Sequence, residues 1–285
     1  MEARALIRQN GEAGATGVTG LVPWWSFTKT VLAIALLHLW EMGKIDLDAR
    51  VEGKSYTPAQ LLRHEAGLPD YGALDRYHAA VGAGQAPWSI DELLSAVDAE
   101  RLRYEPGSGW AYSNIGYHKV GHLIEKASGR SLADALAALV FVPAAVATPR
   151  LAATPADLAG VSMGDAAGYH PGWVYHGLVV GTAMDAARLL HRLLSGQLVG
   201  PKALARMLER RALPQCRSPI HPDPAYGLGL MLRATDPLSQ PIGHSGSGPG
   251  SRIAAYSRQG TTCVVWAATT SGIDAETESF SGLRT

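Results

Sequence analysis

The chain has 285 residues, 47% hydrophobic and 18% charged, which are ordinary proportions for a globular protein with a sizeable core. Its 25 basic and 25 acidic residues cancel, and no Lys/Arg block interleaved with aromatics occurs, which argues against nucleic acid or an anionic membrane as partner. Two cysteines, Cys216 and Cys263, lie far apart with no Cys-x-x-Cys, so a redox motif, a zinc knuckle and a disulfide framework give way to two structural thiols.

The first residues show no basic segment followed by an apolar one, and the longest apolar run, from Val31, is too short to span a bilayer. As given, the chain reads as cytoplasmic, or as periplasmic or secreted if an export signal has been trimmed. Ala3 to Gln9 alternates as a strand, and Asn10-Gly11 favours a tight hairpin turn, so a β-ribbon is expected first. Pro23 and two tryptophans lead into Ser26, and the apolar run beyond it predicts a buried helix to Met42, stopped at Gly43.

From Ile45 to about Gly177 the pattern is mainly helical with long irregular connections. Thr57-Pro58 opens a helix through His64, and the capping box Ser89-Ile90-Asp91-Glu92 opens another through about Arg101. Asn114 to Ser128 is helical and ends at Gly129, and Ser131 to Val140 restarts at once. Residues 143–177, rich in Pro, Gly and Ala, read as an irregular wall or lid. Thr182 caps a helix from Ala183 to Ser195, and Pro201 opens one to about Arg211. The period then becomes that of strands: Tyr226 to Leu232, Arg252 to Ser257 and Thr261 to Thr269. β-Structure at both ends of a helical insert predicts a single α+β domain with a central antiparallel sheet flanked by helices. Its sheet-containing lobe covers about residues 1–44 and 178–285, its mainly helical lobe about 45–177, and a cleft lies between them.

Three motifs stand at element boundaries. In Trp24-Trp25-Ser26-Phe27-Thr28-Lys29, Ser26 and Lys29 share one face at a helix N-terminus. Unpaired N–H groups there can hold an oxyanion, and burial lowers a lysine pKa toward the range in which it takes a proton from Ser26. The alternative is a helix with a surface lysine. The Pro/Gly turn from Tyr104 delivers Tyr112-Ser113-Asn114 just before a helix. Tyr112 offers a phenol whose pKa a neighbouring ammonium lowers, as base or proton shuttle, and Asn114 an amide for a substrate carbonyl or for Lys29. Alternatively Tyr112 is a packed aromatic and Asn114 a helix cap. In Gly243-His244-Ser245-Gly246-Ser247, Gly246 admits another backbone and the Ser247 N–H is a second oxyanion donor opposite that of Ser26. His244 and Ser245 complete a substrate-binding segment, or the whole is a Gly-rich turn before a strand.

Together, in this order, the three motifs resemble those of the serine β-lactamase-like hydrolases, specifically the class C β-lactamase, DD-peptidase and esterase branch. Leu61-Leu62-Arg63-His64-Glu65-Ala66-Gly67-Leu68-Pro69 and Tyr112-Ser113-Asn114-Ile115-Gly116-Tyr117 extend the resemblance, which covers about Ala3 to Thr270. It implies an α/β sandwich with a helical lobe and an acyl-enzyme on Ser26, with Lys29 and Tyr112 sharing the proton work. It further implies substrate contacts from Asn114, His244, Ser245, Gly246 and Ser247, with the Ser26 and Ser247 N–H groups as oxyanion hole, and neither cofactor nor metal. A β-lactam or D-alanyl-type amide is the expected substrate, a small ester the first alternative, and silent binding of cell-wall fragments the second.

The chain departs from the family where His244 stands in place of a lysine, which weakens an anchor for a substrate carboxylate; Arg233 and Arg252 either replace that charge or, the more ordinary reading, lie on the strand surface. The region before Ser26 is short for the family, so that either a missing strand leaves an open sheet edge or the N-terminus was trimmed. His118-x-x-x-His122 lacks a third ligand and reads as two helix histidines. His170, Trp173, Tyr175 and His176 either line the cleft or pack its wall.

Overall fold

The computed structural model describes residues 1–284. In chain order the elements are β1 (Glu2–Ile7), β2 (Ala13–Gly17), β3 (Val22–Pro23), α1 (Thr28–Glu41), α2 (Pro58–Leu62), α3 (Asp75–Gly82), α4 (Ile90–Ala96), α5 (Asn114–Ser128) and α6 (Leu132–Leu136). Then follow β4 (Arg150–Ala152), β5 (Leu178–Gly181), α7 (Ala183–Leu194), α8 (Pro201–Leu208), β6 (Arg211–Ala212), β7 (Pro224–Tyr226), β8 (Met231–Arg233), β9 (Ile242–Gly248), β10 (Ser251–Arg258), β11 (Thr261–Ala268) and α9 (Ala275–Gly282).

The main sheet is antiparallel, in the order β2-β1-β11-β10-β9-β8-β7-β6, so the N-terminal hairpin closes onto the C-terminal strand. Alternation along its central strands explains why helices cover both faces. Ile253, Ala255, Val264 and Trp266 join the main core with α7, whereas Ala254, Tyr256, Cys263 and Val265 meet α9 on the other face. Helix α1 is buried from Thr28 through Leu37, which is why its sequence shows no polar face. Each of its large aliphatic side chains contributes about 1.5–3 kcal/mol on leaving water, and the helix packs on α5 of the helical region.

This is the expected α+β architecture, with several local differences. The strand expected from Tyr226 to Leu232 is two strands, β7 and β8, because Gly227 donates to the Leu230 carbonyl and turns the chain. The helix begun at Ser89 stops at Ala96, where Asp98 adopts a positive φ of 52°, and the segment after Ser131 passes from α6 into a π-turn. The helix from Pro201 ends at Leu208, since Arg211 enters the sheet. Residues 143–177 are irregular apart from β4 and short turns; β4 joins β3 and β5 in a second, small sheet that the sequence reading lacked. Helix α9 was also absent from that reading. The main sheet is open, with β2 and β6 as its edge strands, and every residue of β2 is exposed. Cys263 is buried, but Cys216, expected as a second structural thiol, is exposed.

Candidate active site

Ser26 lies in a single 3-10 turn, Trp25–Phe27, between β3 and α1. Trp24 anchors the turn by donating its backbone N–H to Val179 and its indole N–H to Gly181, both on β5. Trp25 has φ +42°, a left-handed conformation unfavourable for a bulky residue, and is held by its indole bond to Ser251 Oγ at 3.1 Å. The third motif is strand β9, lying against this turn. A Cβ at Gly246 would meet the Ser26 backbone nitrogen at 2.5 Å, and one at Gly248 would meet the Trp25 ring at 2.4 Å. Glycine there lets the strand backbone and the Ser26 turn share a space that no side chain can enter.

The first two motifs converge on one hydroxyl. Tyr112 donates its phenolic proton to Ser26 Oγ at 2.9 Å, and Lys29 Nζ stands 3.1 Å from the same oxygen. Lys29 is completely buried, and that burial brings its pKa down to about 7 although the charge of Asp70 opposes the change. The surface-lysine alternative is therefore absent from the structure. Burial also pushes the Tyr112 phenol up, against the Ser26 hydrogen bond, so it stays protonated. The sequence reading had the phenol lowered by an ammonium; here it is the Lys29 pKa that is lowered, and Tyr112 donates to Ser26.

Asn114 Oδ1 accepts from Lys29 at 2.7 Å, while its Nδ2 and backbone N–H donate to the Asp70 carboxylate at 3.3 and 2.7 Å. Asp70, which the sequence reading did not single out, thus fixes the orientation of the amide, because a carboxylate can only accept. The Leu61–Pro69 segment cradles the Tyr112 loop. His64 Nδ1 accepts from the Ser113 N–H, the Ser113 hydroxyl donates to the Pro69 carbonyl, and the His64 ring lies 4.4 Å from the Tyr112 ring centroid. Arg211 ties Glu65 to the carbonyls of Gly107 and Ser108, securing the far side of the loop. His176, flagged only as part of an aromatic stretch, brings Nε2 to 3.1 Å from Lys29 Nζ.

His244 lies beside the site, but Tyr226 OH bonds its Nε2 at 2.8 Å and its Nδ1 meets the Ser245 carbonyl. Burial, with the Lys29 charge adding to it, takes its pKa down to about 3, so the ring is neutral and supplies no cation. Two cavities meet at Ser26. One of about 480 Å³ is lined by Tyr112, Ser245, Ser247, Arg252, Asp274 and Glu276, among others. The other, of about 590 Å³, is walled by Trp25, Tyr71, Tyr77, Tyr169 and His176, with Asn114 and Arg252 reaching both. Arg233 lines neither. Trp173 and Tyr175 instead hold the wall, donating to the carbonyls of Gln85 and Trp88. A larger cavity of about 680 Å³, between Lys44 and Ala127, contains none of these groups.

His118 and His122 stand with their Nε2 atoms 3.1 Å apart, and among the described residues no group of three or more His, Cys, Asp or Glu is arranged to hold a metal. No helix among them is long and apolar enough to cross a membrane.

The sequence pattern of the family described as Beta-lactamase matches residues 12–280. The chain belongs to the Beta-lactamase family. Within it, the chain is 33% identical over 138 residues to penicillin-binding protein 4* of Bacillus subtilis (strain 168), covering 44% of this chain and 29% of that protein. It is 32% identical over 138 residues to esterase EstB of Burkholderia gladioli, covering 41% and 35%. These matches thus span about a third of the curated relatives' own length. The fold matches that of a D-stereospecific amidohydrolase from Streptomyces sp., with a TM-score of 0.80 over 94% of this chain and 88% of that one, at 23% identity. In this Beta-lactamase family member the Ser, Lys and Tyr of the two leading motifs lie within one hydrogen-bonded group.

Proposed function

We propose that this member of the Beta-lactamase family is a serine hydrolase that transfers the acyl group of an amide to Ser26 and then to water. The observation that carries this reading is the placing of Ser26 Oγ between a proton donor, Tyr112, and a buried amine of pKa about 7. Lys29 takes the Ser26 proton as Oγ bonds to the substrate carbonyl carbon, whose oxygen gains the electron pair facing the N–H groups of Ser26 and Ser247. Collapse expels the leaving nitrogen, which takes the Tyr112 proton, and the Lys29 ammonium restores that proton to the phenolate. Water then attacks the acyl group with the same groups acting in reverse.

The cleft orders the substrates. Its lining cation is Arg252, faced by Asp274 and Glu276, and His244 is neutral. A substrate without a carboxylate beside the scissile bond fits this charge balance better than a β-lactam does, and the aromatic cavity suits an apolar acyl substituent. We therefore place D-aminoacyl amides first and β-lactams after them. The same neutral His244 favours a carboxylesterase as second reading. Silent binding of cell-wall fragments leaves the low pKa of Lys29 without purpose. Hydrolysis rates for D- and L-alanine p-nitroanilide, a chromogenic cephalosporin and p-nitrophenyl acetate decide between these. Ser26-dependent cleavage led by the D-anilide supports the first reading, ester cleavage alone supports the second, and no cleavage of any contradicts both.

A further inference from the structure

Lys29 has one more partner than the three motifs provide. A neutral amine carries two hydrogens and one lone pair, so its strength as a base toward Ser26 depends on where those hydrogens are held. Asn114 Oδ1 accepts one, since Asp70 keeps the amide NH2 turned the other way. Ser26 Oγ already accepts from Tyr112 and has its own hydrogen to give, so it calls for the lone pair. His176 Nε2, 3.1 Å from Nζ, is the other polar atom in contact with the amine among the described residues.

We propose that His176 is a positioning residue for the general base: as a neutral imidazole protonated on Nδ1, it accepts one Lys29 N–H and so holds the amine lone pair on Ser26 Oγ. This rests on the reading of Lys29 as base. The ring is buried, its contact with Lys29 is the hydrogen bond it makes, and Nδ1 is enclosed without a partner. A side chain needed only to fill space would be better replaced by an apolar one, because an enclosed N–H without an acceptor is unfavourable. The groups facing the pair are Asp70 and His64 from the segment after α2, Tyr112 before α5, Tyr117 and His118 on α5, and His244 on β9. Burial, then Lys29 and the neighbouring imidazoles, oppose protonation of His176 and keep it an acceptor. Once Lys29 has taken the Ser26 proton, His176 also accepts from the ammonium. Removing the acceptor therefore slows the transfer and lowers the pH at which Lys29 titrates.

The test is the rate at which a fluorophosphonate modifies Ser26, followed by intact-protein mass against pH. In that reaction the Oγ–P bond forms, fluoride leaves and the Ser26 proton passes to Lys29. Wild type, His176→Leu and His176→Gln are compared, with Ser26→Ala as blank. The expected result is a plateau lowered about tenfold or more in His176→Leu, with its midpoint moved to lower pH, and substantial recovery of both in His176→Gln, whose amide oxygen can accept from Lys29. Wild-type rate and midpoint in His176→Leu overturn the proposal, as does a loss with an unmoved midpoint that glutamine fails to restore. If His176→Leu shows no cooperative unfolding transition, His176→Gln decides: near-wild-type rate and midpoint support the proposal, and a slowed rate at an unmoved midpoint overturns it. Absence of labelling in wild type overturns the hydrolase reading itself.

Discussion

Replacing Lys29 by methionine is expected to remove activity and to shift the fold's stability relative to wild type by an amount that changes with pH in a defined direction. Burial lowers the Lys29 pKa from 10.5 to about 7. Between those values the unfolded chain binds a proton that the folded chain lacks, so stability rises with pH across this window and the burden of Lys29 shrinks. Below the folded pKa both states are protonated and the folded state bears the full difference, about 5 kcal/mol at about 1.4 kcal/mol per pH unit. At about pH 9, about 2 kcal/mol remains. Methionine fills a similar volume without charge, and leaving Asn114 and His176 without a donor costs about 1–3 kcal/mol each. Those costs vary little with pH and cancel between two measurements. Urea unfolding of both proteins should therefore show Lys29→Met gaining about 3 kcal/mol more over wild type at about pH 6 than at about pH 9. An equal difference at the two pH values refutes titration of Lys29 near neutrality.

Three further outcomes are expected. The kcat/KM for a p-nitrophenyl ester rises with pH through about 7 as Lys29 loses its proton and then stays level; a flat profile through neutral pH contradicts Lys29 as the base. Tyr112→Phe keeps the fold but slows Ser26-dependent cleavage of D-alanine p-nitroanilide, whose leaving nitrogen loses its proton donor, by about 10²–10⁴; a change under about threefold excludes Tyr112 from the proton path. Gly246→Ala places a methyl 2.5 Å from the Ser26 nitrogen, so thermal unfolding should show a loss of about 1–3 kcal/mol together with lost fluorophosphonate labelling; an active, stable variant would mean that β9 does not press on the nucleophile turn.

The fold was legible where one residue type dictates local geometry. Asn114–Ser128 ends at left-handed Gly129, as its sequence predicts, but its cap is the Ser113 side chain and not Asn114, the cap that the sequence offered, whose N–H is taken by Asp70. The Tyr226–Leu232 run misled because its apolar character continues across a turn whose glycines are spaced like strand residues. Strand β9 is so rich in glycine that it reads as a turn, and only its pairing with β10 and the nearness of Trp25 account for its extended form. Helix α9 was missed since Ala275 and Ser279 are the residues it buries, giving no apolar stripe. At the site, Ser26, Lys29, Tyr112 and Asn114 were approachable through short spacings. Asp70 and His176 were not: they reach Asn114 and Lys29 across 44 and 147 positions of sequence, and no local period records such contacts. The state of Tyr112 was unreadable for a similar reason, since it depends on burial by residues from several elements.

The most direct test of the central claim is intact-protein mass spectrometry after brief mixing with a D-alanyl thioester, followed by peptide mapping. The account predicts an added D-alanyl mass on the Trp25–Lys29 segment, absent in Ser26→Ala and persisting longer in Tyr112→Phe, which lacks a group that the water step uses. Turnover of the same thioester with no adduct at any quench time, undiminished in Ser26→Ala, would contradict it.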